Sequence, residues 1–326
     1  MIIARTPLRI SFVGGGSDLP AFYRKENGAV LGTAINKYMY ITVNPKFDGK
    51  IRASYSVTEI VDRREDIQHE LIREALAATG IKGGIEITSI SDIPSEGTGL
   101  GSSSSYAVGL LHALWAYRSK HVSAGTLAET ACRIELSRLK KPMGKQDQYF
   151  AAFGGLSYIE FFPGGRVEVS PLICRPRTKR LLEENLLLFY TGITRPSHSI
   201  LREQVRNVGR KQRERDTTRK MVAIASHMRE CIQGNDLRSF GELLHENWLL
   251  KRTLASSISN PKIDAWYGKT LRLGALGGKV VGAGGGGFLL FYAPKDRHKA
   301  IVKGMSDLRH IPFQFEPQGS NIIYVG

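Results

Sequence analysis

Apolar positions in the first half of the chain switch between two spacings. Ile2 to Ile10 reads as a strand, and Tyr38-Met-Tyr-Ile-Thr-Val43, rich in β-branched and aromatic residues, predicts another. Between Asp66 and Ala78 the apolar residues fall at Ile67, Leu71, Ile72, Ala75 and Leu76, which is the spacing of one helix face. An apolar stretch from Gly84 to Ile90 precedes a Gly/Ser-rich segment, after which Tyr106 to Trp115 reads as helix. Ser123 to Leu139 predicts a further helix, with Ser123 as N-cap and Leu127, Ala131, Ile134 and Leu136 on its apolar side. Gly154 to Phe162 returns to a strand pattern. The Pro-Gly-Gly turn at Pro163 to Gly165 and the polar segment Pro171 to Thr178 place a boundary near residue 170, giving domains 1–170 and 171–326.

The second half opens with a strand, Leu186 to Tyr190. Helical segments fill much of 197–276, with Gly234-Asn235-Asp236 as a break. Lys279-Val-Val, a glycine run and Phe288 to Tyr292 follow, then a helix from about 295 to 308 and a final β pair near 312–325. Strands and helices packed in layers make an α+β chain, and no internal repeat is visible.

Composition narrows the function classes. At 326 residues the chain suits two domains, and 42% apolar with 23% charged residues is ordinary for a globular protein. No apolar run approaches the roughly 20 residues of a membrane span. The first residues lack a basic leader with an apolar core and read as a strand, not a secretory signal. Three cysteines, Cys132, Cys174 and Cys231, lie far apart without a Cys-x-x-Cys pair, which disfavours a zinc site or disulfide framework and fits a cytoplasmic location. The net charge of +16 raises a nucleic-acid partner, and Arg202 to Lys220 carries eight basic against three acidic residues. That stretch has helical patterning without interleaved aromatics, so it reads as a solvated helix face. The same field would steer an anionic substrate.

The chemistry concentrates in four places. In Pro94-Ser-Glu-Gly-Thr-Gly-Leu-Gly-Ser-Ser-Ser-Ser105, the glycines Gly97, Gly99 and Gly101 clear side chains so that backbone N–H groups can converge on an anion. The serines then open a helix whose N-terminus suits phosphate. There is no Walker A lysine motif and no protein-kinase signature. Gly282-Ala-Gly-Gly-Gly-Gly287 formally satisfies Gly-x-Gly-x-x-Gly, but an apolar, strand-like run, Phe288 to Tyr292, follows it where a dinucleotide fold demands a helix. It reads as a tight loop approaching a ligand's phosphates, or as a purely structural turn. Near the N-terminus, Arg9 lies on a strand and Asp18 just past Gly14-Gly-Gly-Ser. Asp147 sits in Gly144-Lys-Gln-Asp-Gln, after the helix-ending Pro142.

Taken in order, these segments resemble the signature regions of the GHMP small-molecule kinases, and the similarity spans essentially the whole chain. The wording of Pro-Leu-Arg-Ile-Ser-Phe, Gly-Gly-Gly-Ser-Asp-Leu-Pro, Gly-Leu-Gly-Ser-Ser-Ser, Gly-Lys-Gln-Asp-Gln-Tyr and Gly-Ala-Gly-Gly-Gly-Gly-Phe is most similar to bacterial heptose 7-phosphate kinases within that superfamily. The resemblance implies an N-terminal domain like domain 2 of ribosomal protein S5, a ferredoxin-like C-terminal domain, and an active site between them. It implies ATP and Mg2+ as cofactors, with Gly97, Gly99, Leu100, Gly101, Ser102, Ser103 and Ser104 at the nucleotide and Ser103 and Glu135 at the metal. Asp147 would be the catalytic base and Arg9 would orient it. Asp18, Gly15, Gly16 and Ser17 would bind the sugar, with Gly284 and Gly285 nearby, and Lys145, Arg195 and His198 would be candidates for its phosphate. The implied reaction phosphorylates the anomeric hydroxyl of a heptose 7-phosphate to the 1,7-bisphosphate, in nucleotide-activated heptose biosynthesis. Implied partners are the sugar phosphate and ATP, with a homodimer left open and neither nucleic acid nor membrane involved. One departure is visible: Pro94 stands five positions before Gly99, one more than the family spacing, which puts Glu96 outside the pattern. Two other readings compete, a kinase for an unphosphorylated sugar such as fucose or galactose, and a basic nucleic-acid-binding protein built on an S5-like domain.

Overall fold

The computed structural model describes residues 1–94, 97–194 and 197–326. Its strands are β1 (Ile2–Val13), β2 (Gly28–Pro45), β3 (Ile51–Ser54), β4 (Thr58–Val61), β5 (Ile85–Ser91), β6 (Leu156–Phe161), β7 (Val167–Pro171), β8 (Leu186–Tyr190), β9 (Gly277–Val280), β10 (Phe288–Tyr292), β11 (Arg309–His310) and β12 (Asn321–Val325). They form an eight-stranded sheet ordered β12-β1-β2-β5-β3-β4, with β6 on β2 and β7 on β6, and a four-stranded sheet ordered β11-β8-β10-β9. Helices pack on both sheets, so the α+β architecture is as expected. Among the described residues no helix is long and apolar enough to cross a membrane.

The expected C-terminal β pair does not exist as a pair. β11 joins β8 in the second sheet, whereas β12 returns to the first sheet and pairs antiparallel with β1. An uncovered β1 would present a row of free N–H and C=O groups, and β12 satisfies them. The Ser320 hydroxyl, just before β12, meets Thr6 Oγ1 at 2.8 Å and His112 Nδ1 at 3.0 Å, which seats the strand.

β1 serves two cores. Its pairing with β2 slips between Pro7 and Leu8, and such an irregularity re-aims the side chains that follow. Ala4 belongs to the core shared with the helices Glu70–Thr79 and Ser102–Tyr117. Leu8, Ile10 and Phe12 belong instead to a core shared with the helices Gln212–Gln233 and Leu237–Lys251. Arg9 and Ser11, alternating with them, line a cleft between the two sheets' loops. A third core lies under the second sheet around Phe189, Trp248 and Phe291.

Three helix and strand boundaries differ from the sequence pattern. β2 spans 18 residues and extends well before Tyr38, through Gly28–Lys37, where Val30, Leu31, Thr33 and Ile35 are interspersed with glycine and alanine. The helix begun at Asp66 in the pattern starts only at Glu70, where the His69 ring accepts from Ile72 N, and it ends on the left-handed Gly80 (φ 70°). Ser123 does cap the next helix, accepting from Thr126 N at 3.1 Å. That helix is α only through Cys132 and then widens into a π turn, Arg133–Arg138. Such widening is frequent at functional sites.

Phe12 fixes the two halves together: it is fully buried, with its ring edge-on to Phe240 at 5.4 Å. Phe12→Ala is expected to destabilise the fold by about 3–5 kcal/mol. Urea unfolding followed by tryptophan fluorescence checks this, and a loss below about 1 kcal/mol would show the junction to be loosely packed.

Candidate active site

The Gly97–Gly101 turn is built from glycine because each alternate residue is left-handed, with φ of 67°, 79° and 80°. Space enforces this as well as conformation. A Cβ on Gly99 would lie 2.4 Å from Val281 O, and one on Gly101 would lie 3.2 Å from Arg9 Cγ. Leu100 takes no part at the cleft: its side chain is fully buried and its carbonyl accepts from Arg9 N at 3.0 Å, so it anchors the turn to β1. The helix Ser102–Tyr117 follows with no side-chain cap at its N-terminus. Its first N–H groups and its partial positive charge are therefore offered to whatever enters. Gly97, Gly99, Gly101, Ser102, Ser103 and Ser104 all line a cleft of 1130 Å³.

Across that cleft stands Asp147, in the first turn of the helix Gln146–Phe153. Arg9 Nε donates to Oδ1 at 2.8 Å and Arg9 Nη2 to Oδ2 at 2.7 Å. The third arm, Nη1, donates to Gly99 O. One guanidinium thus locks the carboxylate's orientation and its position relative to the glycine turn. Asp147 keeps 18% side-chain exposure, enough to meet a ligand. Asp18 lies nearby, buried, accepting from Gly16 N at 2.9 Å and Gln146 N at 3.3 Å. Burial pushes its carboxyl above the usual range; the Gly16 bond opposes that and the charge of Asp147 adds to it. Gly144 must be glycine, since a Cβ there would lie 1.9 Å from Asp18 Oδ2.

Glu135, in the π turn, is fully buried behind the serines. It accepts from Ser103 Oγ at 3.0 Å, Ser104 Oγ at 2.9 Å and Gln148 Nε2 at 2.7 Å. Lys141 Nζ lies 3.2 Å from both Ser103 Oγ and Glu135 Oε1. A hydroxyl and a carboxylate are the hard-oxygen donors that Mg2+ takes, and an ammonium already bridges them, so the chemistry of this point fits a cation. Among the described residues no three His, Cys, Asp or Glu side chains gather into a metal cluster. A magnesium ion held by Ser103 and Glu135 would complete its shell with phosphate oxygens and water, as that ion usually does, and would have to displace Lys141.

Several expected ligands stand elsewhere. Gly15, Gly16 and the exposed His198 line the cleft. Ser17 does not: it is buried, and its hydroxyl bonds Gly14 O at 2.8 Å and Ala29 O at 3.0 Å, closing the loop onto β2. Lys145 is not among the cleft-lining residues: its ammonium donates to Gly165 O at 2.8 Å and lies over the Tyr23 ring. Gly284 and Gly285 fold against Ile258 and leave Gly282 and Ala283 to line the cleft. Glu96 and Arg195 fall outside the described residues.

Three cleft lysines escaped the sequence pattern: Lys141, already described, Lys279 and Lys251. Lys279 is buried and donates to Ser11 O at 2.6 Å and Phe12 O at 2.9 Å, with burial, Lys251 and Arg9 pulling its ammonium well below the ordinary lysine range. Lys251 is buried beside Gly282. Its signal was present: it falls on the apolar stripe of its helix, three positions after Trp248 and seven after Leu244.

Residues 67–155 match the family model described as GHMP kinases N terminal domain, and residues 228–308 match GHMP kinases C terminal. The chain is 29% identical to a D-glycero-alpha-D-manno-heptose 7-phosphate kinase of Campylobacter jejuni, covering 93% of each. It is 28% identical to the bifunctional fucokinase/GDP-fucose pyrophosphorylase of Arabidopsis thaliana, covering 90% of this chain and 30% of that one. The crystal structure of a D-glycero-D-manno-heptose 1-phosphate kinase from Bacteroides thetaiotaomicron superposes with a TM-score of 0.84 at 25% identity, covering 100% of both chains.

The Glu135 cluster yields a stability prediction. Glu135→Leu removes the carboxylate that Lys141, Ser103 and Ser104 share and is expected to cost about 3–5 kcal/mol. Adding Lys141→Met should recover part of that loss in a double-mutant cycle measured by urea unfolding. Strictly additive costs would show that the ammonium and carboxylate are not coupled.

Proposed function

The chain belongs to the GHMP kinases and is a sugar kinase of that family, and we propose that it transfers the γ-phosphoryl group of ATP to the anomeric hydroxyl of D-glycero-D-manno-heptose 7-phosphate. The observation that carries this reading is the Arg9–Asp147 pair, held bidentate at 2.8 and 2.7 Å and facing a glycine–serine turn across one cleft. We divide the labour accordingly. Residues 1–170 supply the nucleotide turn and the base, and residues 171–326 supply the Gly282–Ala283 wall.

Phosphoryl transfer proceeds through a loose transition state, so positioning and neutralisation of charge decide its rate. The N–H groups at the start of Ser102–Tyr117 would hold the nucleotide's phosphates. Ser103 and Glu135 would hold a magnesium ion, which would supply positive charge to those phosphates. Asp147 accepts the proton of the acceptor hydroxyl, and Arg9 keeps the accepting oxygen aimed at it. Asp18, its carboxyl raised by burial, offers the acceptor either a hydrogen-bond donor or an acceptor according to pH.

A second reading, an acceptor without a phosphate of its own, draws support from Lys145. That lysine was expected at the substrate's phosphate and instead serves Gly165. The fucokinase-containing relative points the same way.

A coupled ADP-release assay separates the two, with D-glycero-D-manno-heptose 7-phosphate, mannose 6-phosphate, fucose and galactose as acceptors. Preferential turnover of the heptose phosphate, with phosphorus NMR placing the new group on C1, is the expected result. Preference for a neutral sugar would replace the first reading with the second. Asp147→Asn should lower kcat by about 10²–10⁴-fold with whichever acceptor is used. A loss under tenfold would remove Asp147 from the role of base.

A further inference from the structure

Among the described residues Lys251 is a buried cation without an ion-pair partner. It is 5% exposed and lines the cleft. Among the described residues its hydrogen-bond partner is a neutral oxygen, Gly282 O at 2.5 Å, and no carboxylate pairs with it. An ammonium has three N–H donors, so two remain unspent. Burying a charge without a partner costs several kcal/mol, which a stabilising role for Lys251 does not explain. An anion arriving in the cleft does.

The position of that ammonium says which anion. Gly282 abuts Gly99, so closely that a Cβ on Gly282 would lie 2.5 Å from Gly99 Cα. Arg9 in turn donates to Gly99 O while holding Asp147. On the other side, a Cβ on Gly15 would lie 4.0 Å from Lys251 Nζ, 3.5 Å from Gln146 Nε2 and 3.8 Å from Ser11 Oγ. Ser11 Oγ and Gln146 Oε1 are buried without partners, as an acceptor pocket awaiting hydroxyl groups would leave them. Lys251 therefore stands at the seam between the turn that receives the donor's phosphates and the loop that receives the acceptor.

We propose that Lys251 is a catalytic residue whose ammonium contacts the phosphoryl group while it passes from donor to acceptor. The inference rests on reading the site as a phosphoryl-transfer centre. In the step, the bond from γ-phosphorus to the bridging oxygen breaks and ADP leaves with the electron pair. A bond to the acceptor oxygen forms, and that oxygen's proton goes to Asp147. Lys251 gives up no proton: it neutralises charge on the oxygens in transit.

Protonation state supplies a readout. The charged and titratable groups facing Lys251 are Arg9, Asp18, Asp147 and Lys279. Burial, and then the charge of Arg9, bring the ammonium down to about 8, with Asp18 and Asp147 opposing. The active form is the protonated one, present below that pH, so kcat should fall about tenfold per unit above it.

The test uses the full chain with MgATP, on both sides of that pH, and three acceptor conditions: D-glycero-D-manno-heptose 7-phosphate, fucose, and water alone. Lys251→Met is expected to lower kcat by about 10²–10³-fold, to leave MgATP affinity by calorimetry unchanged, and to abolish the alkaline limb. Lys251→Arg should retain most of the rate and move the limb beyond the accessible range. The inference is overturned if Lys251→Met changes only KM for the phosphorylated acceptor, which would place the ammonium on that acceptor's own phosphate. It is equally overturned if the alkaline limb survives the substitution. Should Lys251→Met not fold, the wild-type limb and its displacement in Lys251→Arg decide the matter. If neither acceptor is turned over, the sugar-kinase reading falls. Slow hydrolysis of MgATP by water still reports on Lys251, and an unchanged hydrolysis rate in the variant would refute its role independently.

Discussion

A single guanidinium organises the candidate active site of this molecule. Arg9 reaches the Asp147 carboxylate with two arms and the Gly99 carbonyl with a third, and its own backbone N–H holds Leu100 O. Strand, glycine turn and the helix that carries Asp147 are thereby pinned at one point. The glycines of the turn follow from this as much as from ligand access. Gly101 has no room for a side chain because Arg9 lies against it, and Gly99 has none because Val281 O does. A lysine could not substitute, since a point charge on a flexible stem offers no rigid fork to two carboxylate oxygens and a carbonyl at once. For a reaction governed by placement, fixing the turn relative to the carboxylate to within a fraction of an ångström matters more than added basicity.

Around that point the charges are unbalanced by design of burial. Lys279, its ammonium pulled well below the ordinary lysine range by burial and by Lys251 and Arg9, donates to two β1 carbonyls. Asp18 moves the other way, its carboxyl raised by burial. Arg9 and Asp147 pair with each other, whereas Lys251 has no ion-pair partner among the described residues. In the proposed reaction that ammonium would meet the negative charge of the transferring phosphoryl group. The chain's formal net charge of +16 extends the same bias outward, favouring approach of anionic reactants.

What was legible in the sequence was what depends on local spacing. The glycine–serine turn, Arg9, Asp18 and Asp147 could be singled out because loop, cap and helix signals lie within a few residues of each. Features set by distant partners were not. β12 gives no sign that it will complete the edge of β1, because that pairing joins residues more than three hundred positions apart. The π turn that presents Glu135 to Ser103 and Ser104 is indistinguishable from continuing α-helix in its apolar pattern. Lys145 is a candidate for the substrate's phosphate only because it is basic and lies beside the Asp147 segment, and sequence alone does not show which way it points. Positions two apart at a helix start point to different sides, and it turned to Gly165. Lys251 errs in the opposite direction: a lysine in an amphipathic helix reads as solvated until the stripe it occupies is found to be buried.

The same buried seam limits how the cleft can work. Phe12 sits in the core that joins the first sheet to Gln212–Gln233 and Leu237–Lys251, and Lys279 spends its hydrogen bonds on Ser11 and Phe12 carbonyls from the opposite sheet. Opening the halves widely would expose Phe12, Phe240 and Ile10 and strand a buried amine, at a cost comparable to a large fraction of the stability of a typical domain. Closure by a hinge through this seam is therefore disfavoured, and the two walls are held ready. Adjustment falls to groups at the rim that carry less burial. Lys141 must yield its place between Ser103 and Glu135 when a metal ion competes for it, and His198 stands exposed on the helix Ser197–Arg210. On this argument ligand binding reorders cations inside a preformed cleft, and the donor and acceptor walls stay where Arg9 has fixed them.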